Sequence, residues 1–540
     1  MVSPSTISPI TIITGTSNND LIDAMFIPQG QTIVKWGGER GTGAELSFSF
    51  IGPSSTFPAN YPTRYAGEKV VIPDYVKHAF RTAFDAWSDV ANISFSELEE
   101  TSTEVGDLRI GALLSNPFFY SGPGGSILEA QPPGRHSLNA GDIYFSQSYL
   151  TQDLTQPIDV EFLPGKSAFM HAMHEIGHAV LSLHDVTTNA GWNGKILPAE
   201  LNYRTQTIMS YSATPNAAAG LPGRLSYAAT TPMILDVLAA QWLYGANTGK
   251  GASNDTYSFS QSQTYHETIW DAGGTDTIIV ADATDGINID LRPGSLSDVG
   301  SKVTTFSQFG SQILTQTVGI AYGAIIENAV GGTGNDLLTG NSADNILNGG
   351  AGNDNLNGGD GIDMADYSGV RSTYTITNAS GRRTITDSMA NRDGTDTLTN
   401  IERLQFSDGV LAFDNARTDD AGRGYLIYRA AFDRAPDAEG LGYWIRALER
   451  GQDYGAVVAA SFIASPEFIA TYGTNLSNAT FLNLVYQNVL DRTPDQGGSD
   501  YWLGQLNNGY ARSNLLASFA ISDENYNAVS PSIADGIWFV

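Results

Sequence analysis

The chain has no cysteine in 540 residues. Disulfides and thiolate metal sites are therefore excluded. Basic charge is scarce as well: 28 Lys and Arg stand against 57 Asp and Glu, a formal charge of -29. Such a balance excludes the usual nucleic-acid and anionic-membrane partners and favours bound cations or solubility. No apolar run approaches the length of a membrane span, so no membrane span is expected. The first residues, Met1 to Ile10, lack the basic and apolar regions of a secretory signal, so any export is expected to use another route. The length allows three or four domains, each able to bury its own core.

Histidine is also rare, with seven in the chain, yet His171, His174, His178 and His184 fall in one stretch of fourteen residues. Within it His174, Glu175 and His178 form H-E-x-x-H. On a helix, His174 and His178 lie about 40° apart and one turn along, so both imidazoles can reach one tetrahedral zinc. Glu175 flanks them, where a carboxylate can take a proton from a zinc-activated water and pass it to a leaving amine. Met173, Ile176 and Val180 fall on the opposite side and are expected in the core. His171 points to the histidine side one turn early, in a supporting or solvent-facing position.

A catalytic zinc needs a third ligand, and His184 is the candidate. Were the helix to continue, His184 would lie about 9 Å beyond His178 on another face, so the chain must turn near residue 180. The spacing H-E-x-x-H-x-x-x-x-x-H resembles the metzincin pattern, which carries Gly where this chain has Leu181. Positive φ costs a residue with a side chain about 1 to 2 kcal/mol. A strained Leu181 is nevertheless expected, because the His174 to His184 spacing leaves no spare residue. Downstream, Thr207, Ile208, Met209, Ser210 and Tyr211 resemble the Met-turn of the serralysins, secreted bacterial zinc endopeptidases of the metzincin clan. The resemblance implies that Met209 underlies the zinc and that Tyr211 is both a resting zinc ligand and a catalytic support for the oxyanion. A downstream Glu ligand such as Glu200 is the enzymatic alternative, and it accounts for neither His184 nor the M-S-Y sequence. A surface-binding or adhesive protein retaining a protease scaffold is the alternative from another class.

Along the chain, residues 45–50, 107–111 and 141–145 alternate like strands, and residues 75–90 form an amphipathic helix pattern through Val76, Phe80, Phe84 and Trp87. The strand at 141–145 resembles the serralysin edge strand, along which an extended substrate lies antiparallel; an ordinary sheet strand is the alternative. Residues 232–247 open with Pro and close with Gly-Ala-Asn, a punctuated helix similar to the last one of the serralysin protease domain.

Residues 331–366 repeat every nine as G-G-x-G-x-D, the signature of calcium-binding parallel β-rolls. Gly332, Gly334 and Asp336 belong to the first copy, Asn345 stands where the second expects Asp, Gly350, Gly352 and Asp354 belong to the third, and Gly359, Gly361 and Asp363 to the fourth. The glycines permit tight turns, turn carbonyls and Asp oxygens are calcium ligands, and Leu338, Leu347 and Leu356 stack inward. By resemblance, Asp271, Gly273, Asp276 and Glu327 add calcium contacts.

Residues 373–377 and 383–386 read as strands capping the roll. A tandem repeat follows: the D-R-x-P-D motif at 433–437 recurs at 491–495, and Tyr443-Trp444 recurs as Tyr501-Trp502. The Asp residues are expected to cap helices and the Tyr-Trp pairs to pack between them, with a carbohydrate or cell-surface ligand as the alternative use. The module resembles one common near the ends of type I secreted bacterial proteins, and the ending Asp535 to Val540 resembles the uncleaved signal of that route.

The fold expected is multi-domain: a leader over 1–40, an α+β metzincin-type protease domain over 41–250, a parallel β-roll with its cap over 251–415, and an all-α helical module over 416–540. The function expected is a secreted, extracellular, calcium-stabilised zinc endopeptidase acting on protein substrates and exported by a type I secretion apparatus. Its cofactors would be one catalytic Zn2+ and several structural Ca2+.

Overall fold

The computed structural model describes residues 8–14, 16–27, 33–62, 69–113, 128–133, 139–146, 158–186, 191–213, 224–307, 310–379 and 381–540. The chain divides into two compact units, residues 1–341 and 342–540. No single helix among the described residues is long and apolar enough to cross a membrane.

In the first unit, β1 (Ile10–Ile13) pairs antiparallel with β2 (Ile33–Trp36), and α1 (Asp20–Met25) lies between them in sequence. The main sheet contains β3 (Ala44–Phe50), β4 (Ile93–Leu98), β5 (Leu108–Leu113), β6 (Leu128–Ala130) and β7 (Ile143–Ser146), in the spatial order β4-β3-β5-β7-β6. Three of its four pairings are parallel, and β6 alone runs antiparallel, against β7. The strand expected at the edge, β7, is therefore internal. Among the described residues the edge on that side is β6, whose three residues carry no alternating pattern long enough to read. Helix α2 (Asp74–Val90) buries Val76, Phe80, Phe84 and Trp87 as its period requires, and stacks Phe84 on Phe48 of β3 with ring centroids 4.5 Å apart.

Helix α3 (Ser167–Leu181) carries H-E-x-x-H, and α4 (Ile234–Tyr244) ends at Gly245 with φ 81°. The unit continues into three-residue strands. Thr256–Ser258, Thr277–Ile279 and Asn328–Val330 pair in parallel, as do Asn288–Asp290 and Leu337–Thr339. All of these but Thr256–Ser258 contribute one buried central residue: Ile278, Ala329, Ile289 and Leu338.

In the second unit Ile346–Asn348, Met364–Asp366 and Arg403–Phe406 pair in parallel, and Asn355–Asn357 pairs in parallel with Thr395–Thr399. Leu347 and Leu356 point inward, as the nine-residue period requires. Tyr374–Ala379 and Arg382–Asp387 form an antiparallel hairpin over residues expected as strands. Helices from Asp420–Phe432 to Asp523–Val529 then enclose one apolar core that includes Leu426, Ile427, Val485 and Leu515. Asp437 and Asp495 cap their helices by accepting from Gly440 and Gly498. The Tyr-Trp pairs divide their labour: Trp444 and Trp502 pack on Phe462 and Phe519, whereas Tyr443 and Tyr501 are 62% and 58% exposed. The last strand, Ile537–Phe539, pairs antiparallel with Gly409–Ala412.

Candidate metal centre

Helix α3 is gripped from both sides by buried tryptophans. Trp87 Nε1 donates to the Met173 carbonyl at 3.0 Å and Trp36 Nε1 to the Ala179 carbonyl at 3.1 Å. Met173, Ile176 and Val180 are fully buried, as the helical period requires. Gly177 lies over the Met-turn, where an added Cβ would meet Met209 Sδ at 3.1 Å.

The other face presents His174 and His178, whose Nε2 atoms are 3.0 Å apart. Their Nδ1 atoms sit 2.9 Å from the Ile208 carbonyl and 2.7 Å from the Leu183 carbonyl. A carbonyl can only accept, so each Nδ1 carries a proton, and with both rings neutral each turns an Nε2 lone pair toward the other. Two facing lone pairs repel unless a cation lies between them.

The helix ends one residue later than expected. Leu181 is helical and fully buried, and Ser182 takes the left-handed turn at φ 55°, ψ 26°. The strain expected at Leu181 is thus carried by a small residue, and the Ser182 Oγ donates to the Val34 carbonyl at 2.7 Å. After the turn the chain runs extended beside residues 25–27. Ile27 N–H donates to the Ser182 carbonyl at 3.2 Å and His184 N–H to the Met25 carbonyl at 3.1 Å.

Side chains alternate along an extended segment, and this decides the third position. Leu183 faces α3, where its Cδ1 lies 3.5 Å from a Cβ built on Gly177. His184 faces the other way, and its Nε2 donates to the Ala24 carbonyl at 3.0 Å. The structure therefore does not bring His184 to His174 and His178. Asp185 stands there instead, its Oδ1 3.1 Å from His174 Nε2 and 3.3 Å from His178 Nε2. That oxygen is buried and has no well-directed hydrogen bond. His174, His178 and Asp185 form the group of side chains able to hold a metal.

Zinc fits this donor set. Ligand bonds of about 2.0 to 2.2 Å in a tetrahedron put neighbouring donor atoms about 3.3 Å apart, close to the separations seen. Without a metal the electrostatics are strained. Burial would lower His178, but the carboxylates of Asp185 and Glu175 overcome it and push it up to about 9. Burial would raise Asp185, but the two imidazoles hold it well below the usual carboxylate range.

Glu175 is 7% exposed, and burial raises its pKa while the Ala130 N–H of β6 donates to its carboxylate. Tyr211 stacks obliquely on His174 with centroids 5.9 Å apart, and its hydroxyl hydrogen-bonds the Asp185 carboxylate. Met209 is fully buried beneath α3. Sequence reasoning missed the residue that holds this turn. Asp236 of α4 accepts from Thr207 Oγ1 at 2.6 Å, from Ile208 N–H at 2.8 Å and from Met233 N–H at 2.9 Å. Its sequence signal was an Asp in the first turn of an otherwise apolar helix. His171 does not join the metal group; its buried Nδ1 has no partner, and burial pushes it down to about 3.

A second group is Asp255, Asp271 and Asp276. Asp271 Oδ1 accepts from Gly273 N–H at 2.8 Å, and Glu327 Oε2 accepts from Asp276 N–H at 2.7 Å, so the four residues expected together here are neighbours. Asp276 Oδ2 is buried without a partner, and burial pushes the carboxyl up to about 6. Asp255 was missed, although a signal existed: it precedes Thr256 as Asp276 precedes Thr277, and those threonines pair in register.

Among the described residues the nonapeptide carboxylates do not assemble three to a site. Asp336 accepts from Gly332 N–H at 2.8 Å, and Asp363 accepts from Asn345 N–H at 2.8 Å. Gly334 lies so close to Asp285 that a Cβ would meet its backbone at 2.5 Å. Gly350, Gly352, Gly359 and Gly361 all have positive φ, as tight turns beside the buried Asp354 and Asp363 require.

Comparison with known proteins agrees with this architecture. Residues 63–190 match the family model described as Matrixin, residues 235–453 that described as Peptidase M10 serralysin C terminal, and residues 459–529 a domain of unknown function, DUF4214. By these matches the chain is similar to metzincin-type metalloproteases, and within them to the serralysins. It is 30% identical over 335 residues to Serralysin of Proteus mirabilis, covering 57% of this chain and 62% of that protein. It is 33% identical over 324 residues to Serralysin C of Dickeya chrysanthemi, covering 56% and 61%. To Metalloprotease AprA of Pseudomonas entomophila (strain L48) it is 30% identical over 319 residues, covering 55% and 59%. The matches thus span between 59% and 62% of these relatives' own length.

Proposed function

We propose that the chain is a secreted zinc endopeptidase that hydrolyses peptide bonds of extracellular proteins. The observation that carries this reading is the pair of Nε2 atoms 3.0 Å apart, each ring fixed by a carbonyl behind it, with Glu175 buried beside them. His174 and His178 would hold the zinc. When bound, that ion supplies a Lewis acid that polarises a substrate carbonyl and acidifies water. Glu175, its pKa raised by burial, takes the proton of the attacking water and delivers it to the leaving amine. Tyr211, beside His174, is placed to donate to the developing oxyanion. The three-residue edge of β6 would take an extended substrate by main-chain pairing, which tolerates many sequences.

The same reading assigns residues 41–250 to the protease domain and residues 251–415 to a parallel β-roll stabilised by calcium. Supporting this are the three-residue parallel strands, their buried central residues and the Asp255, Asp271 and Asp276 group. Residues 416–540 would be the helical module. Its exposed Tyr443 and Tyr501 would be the contact points of a cell-surface or carbohydrate ligand, and its last residues the signal for a type I secretion apparatus.

A non-hydrolytic surface-binding scaffold is the second reading, favoured by His184 being turned out of the site. Zinc content and casein hydrolysis of the purified chain beside Glu175→Ala separate the two. The variant should keep its zinc and lose at least about 100-fold in hydrolysis, since a positioned proton-transfer group contributes about 10²- to 10⁴-fold. Undiminished hydrolysis in Glu175→Ala would refute the mechanism, and zinc without hydrolysis in the parent chain would leave the scaffold.

A further inference from the structure

We propose that His266, a histidine outside the metal group, is an acid-sensitive latch: with its ring neutral it ties residues 224–231 and the loop carrying Met209 to the strand Glu267–Ile269, and protonation of the ring frees both. The proposal is independent of the peptidase reading, since its test reads structure and not turnover. His266 is fully buried and bonded twice to one segment. Its Nδ1 donates to the Tyr227 carbonyl at 3.3 Å, and its own carbonyl accepts from the Thr230 N–H at 2.9 Å and from Thr230 Oγ1 at 3.2 Å. That segment reaches the start of α3, where the Ala228 N–H donates to the Gly165 carbonyl at 2.7 Å. The ring also faces Arg204, which closes the loop carrying Met209: its N–H donates to the Ser212 carbonyl at 2.9 Å and its Nε to the Ser210 carbonyl at 3.2 Å. One imidazole thus stands between two segments that both touch α3, the first before Ser167 and the second at Gly177.

A carbonyl can only accept, so Nδ1 carries a proton and Nε2 is the atom left to take a second. Nε2 is buried without a well-directed hydrogen bond. The surroundings give that second proton no counter-charge. Arg204 is itself cationic, and His171, which also lies near Arg204, is kept neutral by burial. Thr317, across the sheet in the register that pairs Glu267 with Val318, is uncharged. Glu267 accepts from Thr230 Oγ1 at 3.2 Å, and the Tyr265 hydroxyl accepts from the Ser260 N–H at 3.1 Å. Among the described residues no carboxylate forms an ion pair with His266. Burial, with the Arg204 charge adding to it, outweighs the bond to Tyr227 and pushes the ring down to about 4. A histidine in a freed segment titrates near about 6.5. Between these values the freed state binds more protons than the latched one, so the latch is fully formed above about pH 6.5 and weakens as pH falls toward about 4.

The test is hydrogen exchange on the full chain at saturating zinc and calcium, corrected for the intrinsic pH dependence of exchange, with the parent beside His266→Gln. Glutamine can still donate to the Tyr227 carbonyl but takes no proton. In the parent the opening constant of residues 203–213 and 224–231 should rise about 20-fold between about pH 7 and pH 5, the change that linkage gives for a group moving between about 4 and about 6.5. In His266→Gln it should stay within about threefold over the same range, because the titrating group is gone. Equal acid responses in parent and variant would overturn the proposal. Should His266→Gln not fold, the parent decides by itself: residues 224–231 should open at a higher pH than the main-sheet strand Leu108–Leu113, and opening of both at one pH would overturn the proposal as well.

Discussion

Asp142, Asp236 and Asp185 are carboxylates of one unit whose surroundings push them in opposite directions. Asp142 is 2% exposed, and burial pushes its pKa up to about 7 despite hydroxyl donors from Tyr61 and Tyr144 and the nearby Arg109. Asp236, with three donors, is pushed only to about 6. Asp185 moves down, because two imidazoles outweigh its burial. For Asp142 the sign of the stability effect follows directly. Its unfolded pKa is about 4, so between about pH 4 and 7 the native state binds more protons than the unfolded one, and stability falls as pH rises through that window. Thermal melts at saturating zinc and calcium should show that decline, and Asp142→Asn should flatten the part of it due to this group. Identical pH slopes for parent and variant would refute the assignment.

The C-terminal end of α3 is the element on which the site turns. Leu181 lies inside the helix with no exposed surface. Leu181→Gly should therefore lower stability by about 2 to 5 kcal/mol for the lost packing, with about 1 kcal/mol more for glycine in a helix. Ser182→Gly should stay within about 1 kcal/mol of the parent, since relief of the left-handed residue offsets loss of the bond to Val34. Urea unfolding of both variants measures the difference. A Leu181→Gly chain as stable as its parent would mean that the left-handed turn sits at 181 after all. Elements with a strong period were legible from the residues: the helix at 75–90 begins at Asp74, and the punctuated helix at 232–247 ends at Gly245. What was not legible was the edge of the sheet, because a three-residue strand has too few positions to display a period.

At the scale of the whole molecule, 57 Asp and Glu stand against 28 Lys and Arg, and the fold brings some of these carboxylates together, as at Asp255, Asp271 and Asp276. Asp271 is 1% exposed and Asp276 fully buried, and Asp363 is pushed by burial up to about 7. Such groups destabilise a fold unless a cation compensates them, so cation binding becomes folding free energy. A chelator selective for calcium should lower the melting temperature and the β-sheet signal, and excess calcium should restore both. A melting curve indifferent to chelator and to millimolar calcium would count against cation sites in residues 251–415.

Residue order alone determined that His174 and His178 share a face with Glu175 beside them, because residues four apart on a helix have no choice about it. It also determined that Leu338, Leu347 and Leu356 turn inward, each within its own unit, since a nine-residue period with turn glycines repeats one local geometry. Whether His184 or Asp185 meets the histidines was decided by the tertiary structure. That choice depends on which residue at a helix end takes positive φ, a preference of about 1 to 2 kcal/mol. Partners far along the chain outweigh it: the Val34 carbonyl, 148 residues from Ser182, and the Ala24 carbonyl, 160 residues from His184. A motif read by spacing contains neither of them.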